Sequence, residues 1–251
     1  MRTARCEYLL RFGDNALILS QRLGEWCGKG PALEEDMALT NTALDLLGQA
    51  RLWLSLAAEA AGDGADEDTL AYLRDDREFH NVLLVEQPNG GYADTLMRQF
   101  LFDAWASLAL RQLLGSRDAA MAAIAEKAVK EVSYHLRRTS DLVVRLGDGT
   151  ERSHALMQAA LDALWPYHHE LFIGDAVDAE MVAAGIGFDP ASLRDAWQSY
   201  VREVLAEASL TMPAAGGWAP KGGKQGLHSE HLSRLLAEMQ VLPRSHPGAR
   251  W

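Results

Sequence analysis

Carboxylate and histidine side chains on long helices are the residues of this sequence that could carry out redox chemistry. A di-iron centre in a four-helix bundle takes one Glu from each of two helices and a Glu-x-x-His motif from each of the other two. The carboxylates neutralise and bridge the metal ions, and each His supplies a neutral nitrogen. A spacing of three residues puts both ligands of a motif on one helix face.

Two of these motifs are incomplete in the sequence. The second predicted helix contains Asp45-Leu-Leu-Gly48, and the fourth contains Glu131-Val-Ser-Tyr134 with His135 one residue later. Gly48 and Tyr134 therefore stand where the two histidines belong.

The other two ligand positions are also deficient. The first predicted helix has no carboxylate between Asp14 and Glu25, which leaves Gln21 as its inward candidate, and the third helix offers Asp103. Three acids on four helices cannot hold two iron ions, so we predict no metal site and no catalytic residue in this chain. The degenerate positions are Gln21, Asp45, Gly48, Asp103, Glu131 and Tyr134.

A carboxylate buried without a metal needs another cation, because a bare buried charge is costly. Asp45 and Asp103 each have large apolar neighbours, and Lys127 and Lys130 flank Glu131 on the same predicted helix. We hypothesise that one of these lysines lies in the core and replaces the missing metal charge. The alternative, that the acids are unrelated surface residues, stays open.

Other histidine motifs give weaker indications of a metal. The complete motif Glu151-Arg-Ser-His154 opens a helix, where the helix dipole alone favours a Glu. His228 and His231 could share a helix face and hold zinc together with Glu230. A solvated helix start is the simpler interpretation of that second motif.

A glycine-rich loop precedes these last histidines. Residues 217–224 lack the Gly-Lys-Ser/Thr ending of a phosphate-binding loop and follow no predicted strand. Lys221 and Lys224 could still contact an anionic ligand or an acidic partner, and a flexible solvated loop is the equal alternative.

The elements that position all of these residues are predicted to be helices, because helical periodicity dominates and no alternating strand pattern occurs. Gly and Pro residues separate the helical stretches. The predicted helices are residues 4–27, 33–61, 66–85, 92–114, 118–146, 150–165, 190–210 and 229–242.

Four long helices in two pairs, with a long connection between the second and third, are typical of a ferritin-like four-helix bundle. We therefore predict an all-α fold in a single domain, residues 1–251. The core bundle is predicted to span about 4–147, and additional C-terminal helices are predicted over about 150–251.

Composition limits the class of protein further. Of the 251 residues, 48% are hydrophobic and 24% are charged, and the net charge of −11 makes nucleic acid an unfavourable partner. No apolar run approaches the roughly 18 residues that a membrane span needs. Cys6 and Cys27 lie about 30 Å apart along a continuous helix, too far for a disulfide. We therefore predict a cytoplasmic protein with no membrane association.

Five segments, in matching order along nearly the whole chain, resemble the C subunits of phenylacetyl-CoA epoxidases, which are also called phenylacetate-CoA oxygenases. The segments are Leu-Ser-Gln-Arg-Leu-Gly-Glu-Trp-Cys at 19–27, Leu-Asp-Leu-Leu-Gly-Gln-Ala-Arg at 44–51, Leu-Val-Glu-Gln-Pro-Asn-Gly at 84–90, Lys-Glu-Val-Ser-Tyr-His-Leu-Arg at 130–137 and Gly-Gly-Lys-Gln-Gly-Leu-His-Ser-Glu-His-Leu at 222–232.

The resemblance implies a ferritin-like, non-catalytic structural subunit of an enzyme of aerobic phenylacetate catabolism. Its partner would be a homologous catalytic subunit that holds the di-iron centre and binds phenylacetyl-CoA. A small bridging subunit and a flavin/iron–sulfur reductase would complete a complex that uses oxygen and NADPH to epoxidise the ring. The implied assembly is a hetero-oligomer, and the isolated chain could form a homodimer.

Two further functions stay open at this point. The chain could be a metal-dependent oxygenase or hydrolase in its own right, with an unconventional site formed by Asp45, Glu131 and His135. It could also be a metal-free acyl-CoA-binding protein.

Overall fold

The computed structural model describes residues 3–214 and 216–249, and every regular element in these ranges is a helix. The all-α class predicted from the sequence is confirmed. The α-helices are α1 (Ala4–Gly24), α2 (Leu33–Ala61), α3 (Glu67–Tyr72), α4 (Leu83–Glu86), α5 (Tyr92–Leu113), α6 (Ala119–Gly147), α7 (Glu151–Leu164), α8 (Ala176–Ala183), α9 (Arg194–Glu207) and α10 (Glu230–Ser245).

The chain forms two compact units, each of which contains one pair of long α-helices. The first unit combines Met1–Pro88 with Lys221–Trp251, and the second is Asn89–Pro220. These boundaries differ from the predicted division into a bundle of residues 4–147 and a C-terminal part of residues 150–251, because the last helix belongs with the first two. The single ferritin-like domain over 1–251 stays a prediction.

In the first unit, α1 and α2 pack as an antiparallel pair. The thiol of Cys6, near the start of α1, donates to the carbonyl oxygen of Ala57, near the end of α2, over 3.4 Å. Gly13 lets the two helices approach, because a Cβ atom there would lie 2.7 Å from a methyl carbon of Leu54. Gly62 ends α2 with φ +65°, a conformation that favours glycine.

The continuous helix predicted over residues 66–85 is wrong, because two side chains of α1 accept hydrogen bonds from backbone N–H groups of this segment. Asp14 accepts the His80 backbone N–H over 2.8 Å, and Asn15 accepts the Val82 backbone N–H over 2.9 Å. Both bonds hold the chain extended between the 3-10 turn Asp76–Glu78 and α4. Several local helical hydrogen bonds are thus replaced by two tertiary ones.

In the second unit, α5 and α6 form the long pair, and α7, α8 and α9 follow. Asp118 caps α6 by accepting the backbone N–H groups of Ala120 and Met121, as the sequence predicts. The buried indole N–H of Trp197 on α9 donates to the Leu101 carbonyl of α5 over 3.1 Å. The sequence did not predict α8 or the 3-10 helix Trp165–Phe172. The segment predicted as one helix over residues 190–210 begins as the 3-10 turn Pro190–Leu193.

Candidate functional site

Asp103 is the centre of a buried polar cluster on α5 and α6 of the second unit. Its side chain is 1% exposed. The Gln99 amide donates to one carboxyl oxygen over 2.7 Å, and the Thr139 hydroxyl is 3.2 Å from the other. His135, also 1% exposed, lies one turn before Thr139 on α6. Asp103 is therefore buried among polar side chains of α5 and α6.

The surroundings of Asp103 bring its pKa close to neutral pH. Burial raises the pKa of Asp103 to about 7, and the charge of His135 with the hydrogen bonds from Gln99 and Thr139 only partly opposes the rise. A metal ligand must be deprotonated, and two metal ions need several such carboxylates. One carboxylate and one imidazole are too few ligands for a pair of iron ions.

The predicted inward face of α6 is displaced by one residue. His135 and Thr139 are buried, whereas Tyr134 is 51% exposed and the Glu131 side chain is 20% exposed. The apolar residues Met121, Ala125, Ala128 and Val132 follow each other at spacings of three and four, and the same series continues to His135 and Thr139. That periodicity was the signal in the sequence that locates the buried face.

The hypothesis that a lysine replaces the metal charge is wrong, because both lysines lie in solvent. The side chains of Lys127 and Lys130 are 59% and 76% exposed. Each pairs over 3.9 Å with an acid one turn away on α6, Lys127 with Glu131 and Lys130 with Glu126. Such exposed pairs contribute little to stability. Burial, which raises the pKa of Asp103 and so favours its neutral form, limits the buried charge in this cluster without a lysine.

The degenerate positions in the first unit do not form a polar centre. Gln21 on α1 and both Asp45 and Gly48 on α2 are half-buried. They border the buried faces of their helices rather than lying within them. The buried polar residues of α2 are instead Thr42 and Gln49.

The first unit contains a buried ion pair that the sequence analysis missed. The Asp14 side chain is fully buried and that of Arg74 is 4% exposed. The two guanidinium nitrogens of Arg74 bond both carboxylate oxygens of Asp14, one of them over 3.0 Å. Arg74 also lies 4.2 Å from the ring centre of Phe79. Because the partners are 60 residues apart, no helical periodicity could have paired them.

Glu86 is a second buried carboxylate, and it already accepts hydrogen bonds from donors of the same unit. It accepts hydrogen bonds from the Asn81 amide over 3.0 Å, the His228 imidazole over 2.8 Å and the Ser229 backbone N–H over 2.7 Å. The other His228 nitrogen is 2.9 Å from the Phe79 carbonyl oxygen. Both nitrogens of His228 are thus engaged, so neither of its two open interpretations, a zinc ligand or a solvated residue at a helix start, describes this side chain.

The remaining candidates, Lys221, Lys224 and His154, and a further histidine, His168, occupy defined positions in the fold. Lys221 is exposed, but Lys224 is only 8% exposed, so Lys224 offers little to an external anion or partner. His154 bonds the Gly147 carbonyl over 2.8 Å, which joins the start of α7 to the end of α6. His168 stacks on Trp197 with ring centres 5.1 Å apart, and burial lowers its pKa to about 4.

The side chains of these clusters do not fit a di-iron centre. Within residues 3–214 and 216–249, no group of three or more His, Cys, Asp or Glu side chains is placed to hold a metal ion. Asp14 and Glu86 are bonded to donors of their own unit, and Asp103 has one histidine beside it. The alternative site is not favoured either, because Glu131 pairs with a surface lysine while His135 is buried.

Comparison with known proteins decides the family. The family model described as phenylacetic acid catabolic protein matches residues 1–251. The chain belongs to this family. One relative, the C subunit of the 1,2-phenylacetyl-CoA epoxidase of Escherichia coli (strain K12), is 53% identical over 244 residues. The match covers 97% of this chain and 98% of that protein.

Two general properties of this member of the phenylacetic acid catabolic protein family follow from its described residues. None of the helices in residues 3–214 and 216–249 is long and apolar enough to cross a membrane. Cys6 is buried and Cys27 is exposed, and both are free thiols. The prediction that they do not pair with each other is confirmed.

Proposed function

We propose that this chain is the non-catalytic structural subunit of a multicomponent di-iron monooxygenase that epoxidises the aromatic ring of phenylacetyl-CoA in phenylacetate catabolism. The full-length similarity to an epoxidase C subunit carries this proposal. The donor set of the buried clusters supports it, because one near-neutral carboxyl and one imidazole in the second unit do not suit two iron ions. The complex is cytoplasmic, where thiols such as Cys6 and Cys27 stay reduced.

The di-iron centre and the phenylacetyl-CoA site belong, in this proposal, to a homologous catalytic subunit. A bridging subunit and a flavin/iron–sulfur reductase complete the hetero-oligomer and supply electrons from NADPH. What this chain contributes is a rigid helical surface on which the catalytic subunit keeps its active conformation.

An exposed apolar stripe on α2 supports an obligate partner. Four large side chains follow one face of the helix at spacings of four, seven and three residues. Large apolar side chains in such a row are typical of interfaces between permanently associated subunits. The α2 stripe consists of Leu33, Met37, Leu44 and Leu47, which are 72%, 57%, 60% and 39% exposed.

Substitution of the α2 stripe is expected to weaken the complex. Met37→Glu and Leu44→Glu each put a carboxylate into an apolar contact, so the affinity for the catalytic subunit should fall by at least roughly tenfold. Co-purification of tagged catalytic subunit with each variant, followed by titration in an affinity assay, measures the loss. Leu156→Glu on α7 is the matched control, since Leu156 is 54% exposed but lies outside the stripe. If all three variants bind the catalytic subunit with equal affinity, the α2 stripe is not part of the interface.

Reconstitution of the complex tests the proposed function itself. Epoxidation of phenylacetyl-CoA should require this chain together with the catalytic subunit and the reductase, and no product should form from this chain with the reductase alone. Product formation by this chain without the catalytic subunit would support the alternative of an independent enzyme. Full activity of the other components without this chain would contradict its structural role.

A further inference from the structure

Residues 222–231, here called the C-terminal strap, lie along residues 77–86 within the first unit. Two glycines of the strap touch backbone carbonyls of that segment. A Cβ atom on Gly223 would lie 2.2 Å from the Asn81 carbonyl oxygen, and one on Gly226 would lie 2.2 Å from that of Arg77. Neither position has room for a larger residue. The strap is therefore packed against residues 77–86 rather than being the flexible loop that its composition suggests.

Polar bonds complete the attachment of the strap. The His80 imidazole bonds the Lys224 carbonyl over 2.9 Å, and the Ser229 backbone N–H bonds Glu86 over 2.7 Å. One guanidinium nitrogen of Arg22 on α1 bridges the carbonyl oxygens of Glu86 and His231, at 2.7 and 3.2 Å. Beyond the strap, α10 carries the buried residues Leu232, Leu235 and Leu236.

His228 occupies the middle of this attachment and faces two acceptors. One nitrogen is 2.8 Å from the Glu86 carboxylate and the other is 2.9 Å from the Phe79 carbonyl oxygen. A neutral imidazole carries one N–H, and the imidazolium carries two. A carbonyl oxygen cannot donate, and Glu86 accepts two further bonds, from Asn81 and Ser229, in the manner of an ionised carboxylate. With Glu86 ionised, only the protonated ring satisfies both contacts.

We propose that the C-terminal strap is a proton-dependent latch, closed by the imidazolium of His228 on Glu86 and Phe79 and loosened when that ring loses its proton. Deprotonation removes one of the two N–H donors and leaves a buried acceptor without its bond. It also leaves the buried Glu86 carboxylate without its cation. Either consequence weakens the attachment of the strap to residues 77–86.

The charged groups around His228 are arranged to retain its proton. Burial lowers the pKa of His228, but the hydrogen bond and charge of Glu86, the Phe79 carbonyl and the charge of Asp14 together raise it above its ordinary value. Asp14 is itself paired with Arg74, and Arg22 bonds the backbone carbonyl oxygen of Glu86. Lys224, whose side chain is also buried, accepts the His80 bond through its backbone carbonyl oxygen.

The pKa of His80 is shifted in the opposite direction from that of His228, although both residues lie in the same hydrogen-bond network. Burial lowers the pKa of His80, and the charges of Asp14 and Glu7 and the Lys224 carbonyl only partly oppose this. A neutral ring with its proton on the bonded nitrogen satisfies the contact to Lys224. The proton that closes the latch is therefore assigned to His228.

The sign of the pH dependence follows from the raised pKa. Stabilisation by His228 is fully present below the unfolded-state value of about 6.5 and is lost as the pH rises through the folded-state pKa. The latch is thus closed in mildly acidic solution and loosens as the pH rises through the folded-state pKa of His228, which lies above its ordinary value.

Hydrogen exchange of the full-length chain, corrected for the intrinsic effect of pH, tests the latch. Protection of residues 223–232 should fall by about tenfold or more between pH 6 and a pH above the His228 transition, as one charge-assisted hydrogen bond is lost. His228→Gln should give the low protection at both pH values, because glutamine carries no titrating proton. His231→Gln, the same change three residues further along, should keep the wild-type profile.

An NMR titration of histidine ring carbons provides a second measurement that does not depend on a variant folding. The His228 signal should report an imidazolium that persists to a higher pH than the imidazolium of an ordinary histidine. A neutral His228 ring at pH 6, or strap protection in the wild type that does not change with pH, would overturn the proposal. A pH profile of His228→Gln identical to that of the wild type would also overturn it.

Discussion

Arg74→Met is expected to lower the free energy of unfolding by about 3–5 kcal/mol, because it leaves the Asp14 carboxylate buried without its cation. Asp14 is fully buried, and both of its oxygens bond Arg74. Methionine keeps most of the apolar volume of the arginine stem, so the loss reports the charge rather than a cavity. Urea unfolding followed by circular dichroism and tryptophan fluorescence measures the change.

Two comparisons isolate the electrostatic origin of this loss. Arg51→Met breaks an exposed pair with Glu67, in which Arg51 is 76% exposed, and should cost less than about 1 kcal/mol. Adding Asp14→Asn to Arg74→Met removes the unpaired charge while an amide oxygen still accepts the His80 backbone N–H, so part of the stability should return. If the losses of unfolding free energy from the two substitutions simply add, and no stability returns in the double variant, the result would contradict this account of the Asp14–Arg74 pair.

Asp103→Asn is expected to change how stability depends on pH. Burial raises the pKa of Asp103 from an ordinary 3.8 to about 7. Between these values the folded chain keeps a proton that the unfolded chain releases, so the stability of the wild type falls as the pH rises. The fall amounts to roughly 1.4 kcal/mol per pH unit over that interval. Asparagine keeps the size and remains neutral, so the variant should not show this fall.

Unfolding free energies measured at several pH values between 4 and 8 test this expectation. The difference between Asp103→Asn and the wild type should grow in favour of the variant up to about pH 7 and then level off. Asp141→Asn replaces an acid on the same pair of helices whose side chain is 65% exposed. That control should follow the wild-type profile. Parallel profiles for Asp103→Asn and the wild type would mean that Asp103 is ionised in the fold over the whole range.

The long helices could be predicted closely from the sequence because the residues that start and end each helix lie at its own ends in the sequence. For α2, acidic residues at the start and Gly62 at the end predict residues 33–61, and the structure has these bounds. The segment 66–85 could not be predicted in this way. Its backbone N–H groups bond Asp14 and Asn15, which are more than 60 positions earlier in the chain.

The site could be predicted only in part, for a similar reason. Large apolar neighbours indicated burial for both Asp45 and Asp103; Asp103 is buried, whereas Asp45 is half-buried. The predicted face of α6 was displaced by one residue because the di-iron motif places a ligand at position 134, whereas the buried series of the helix continues from Val132 to His135. The partnership of Glu86 with His228, 142 residues apart, depends on tertiary structure alone.

The central claim, that the oxygen-activating metal belongs to a partner and not to this chain, is tested most directly by measuring iron. The purified full-length chain and its complex with the catalytic subunit would be incubated with ferrous iron, desalted and analysed for bound metal. The account predicts stoichiometric iron in the complex, associated with the catalytic subunit, and none retained by this chain alone. Two iron ions bound per molecule of the isolated chain would contradict it.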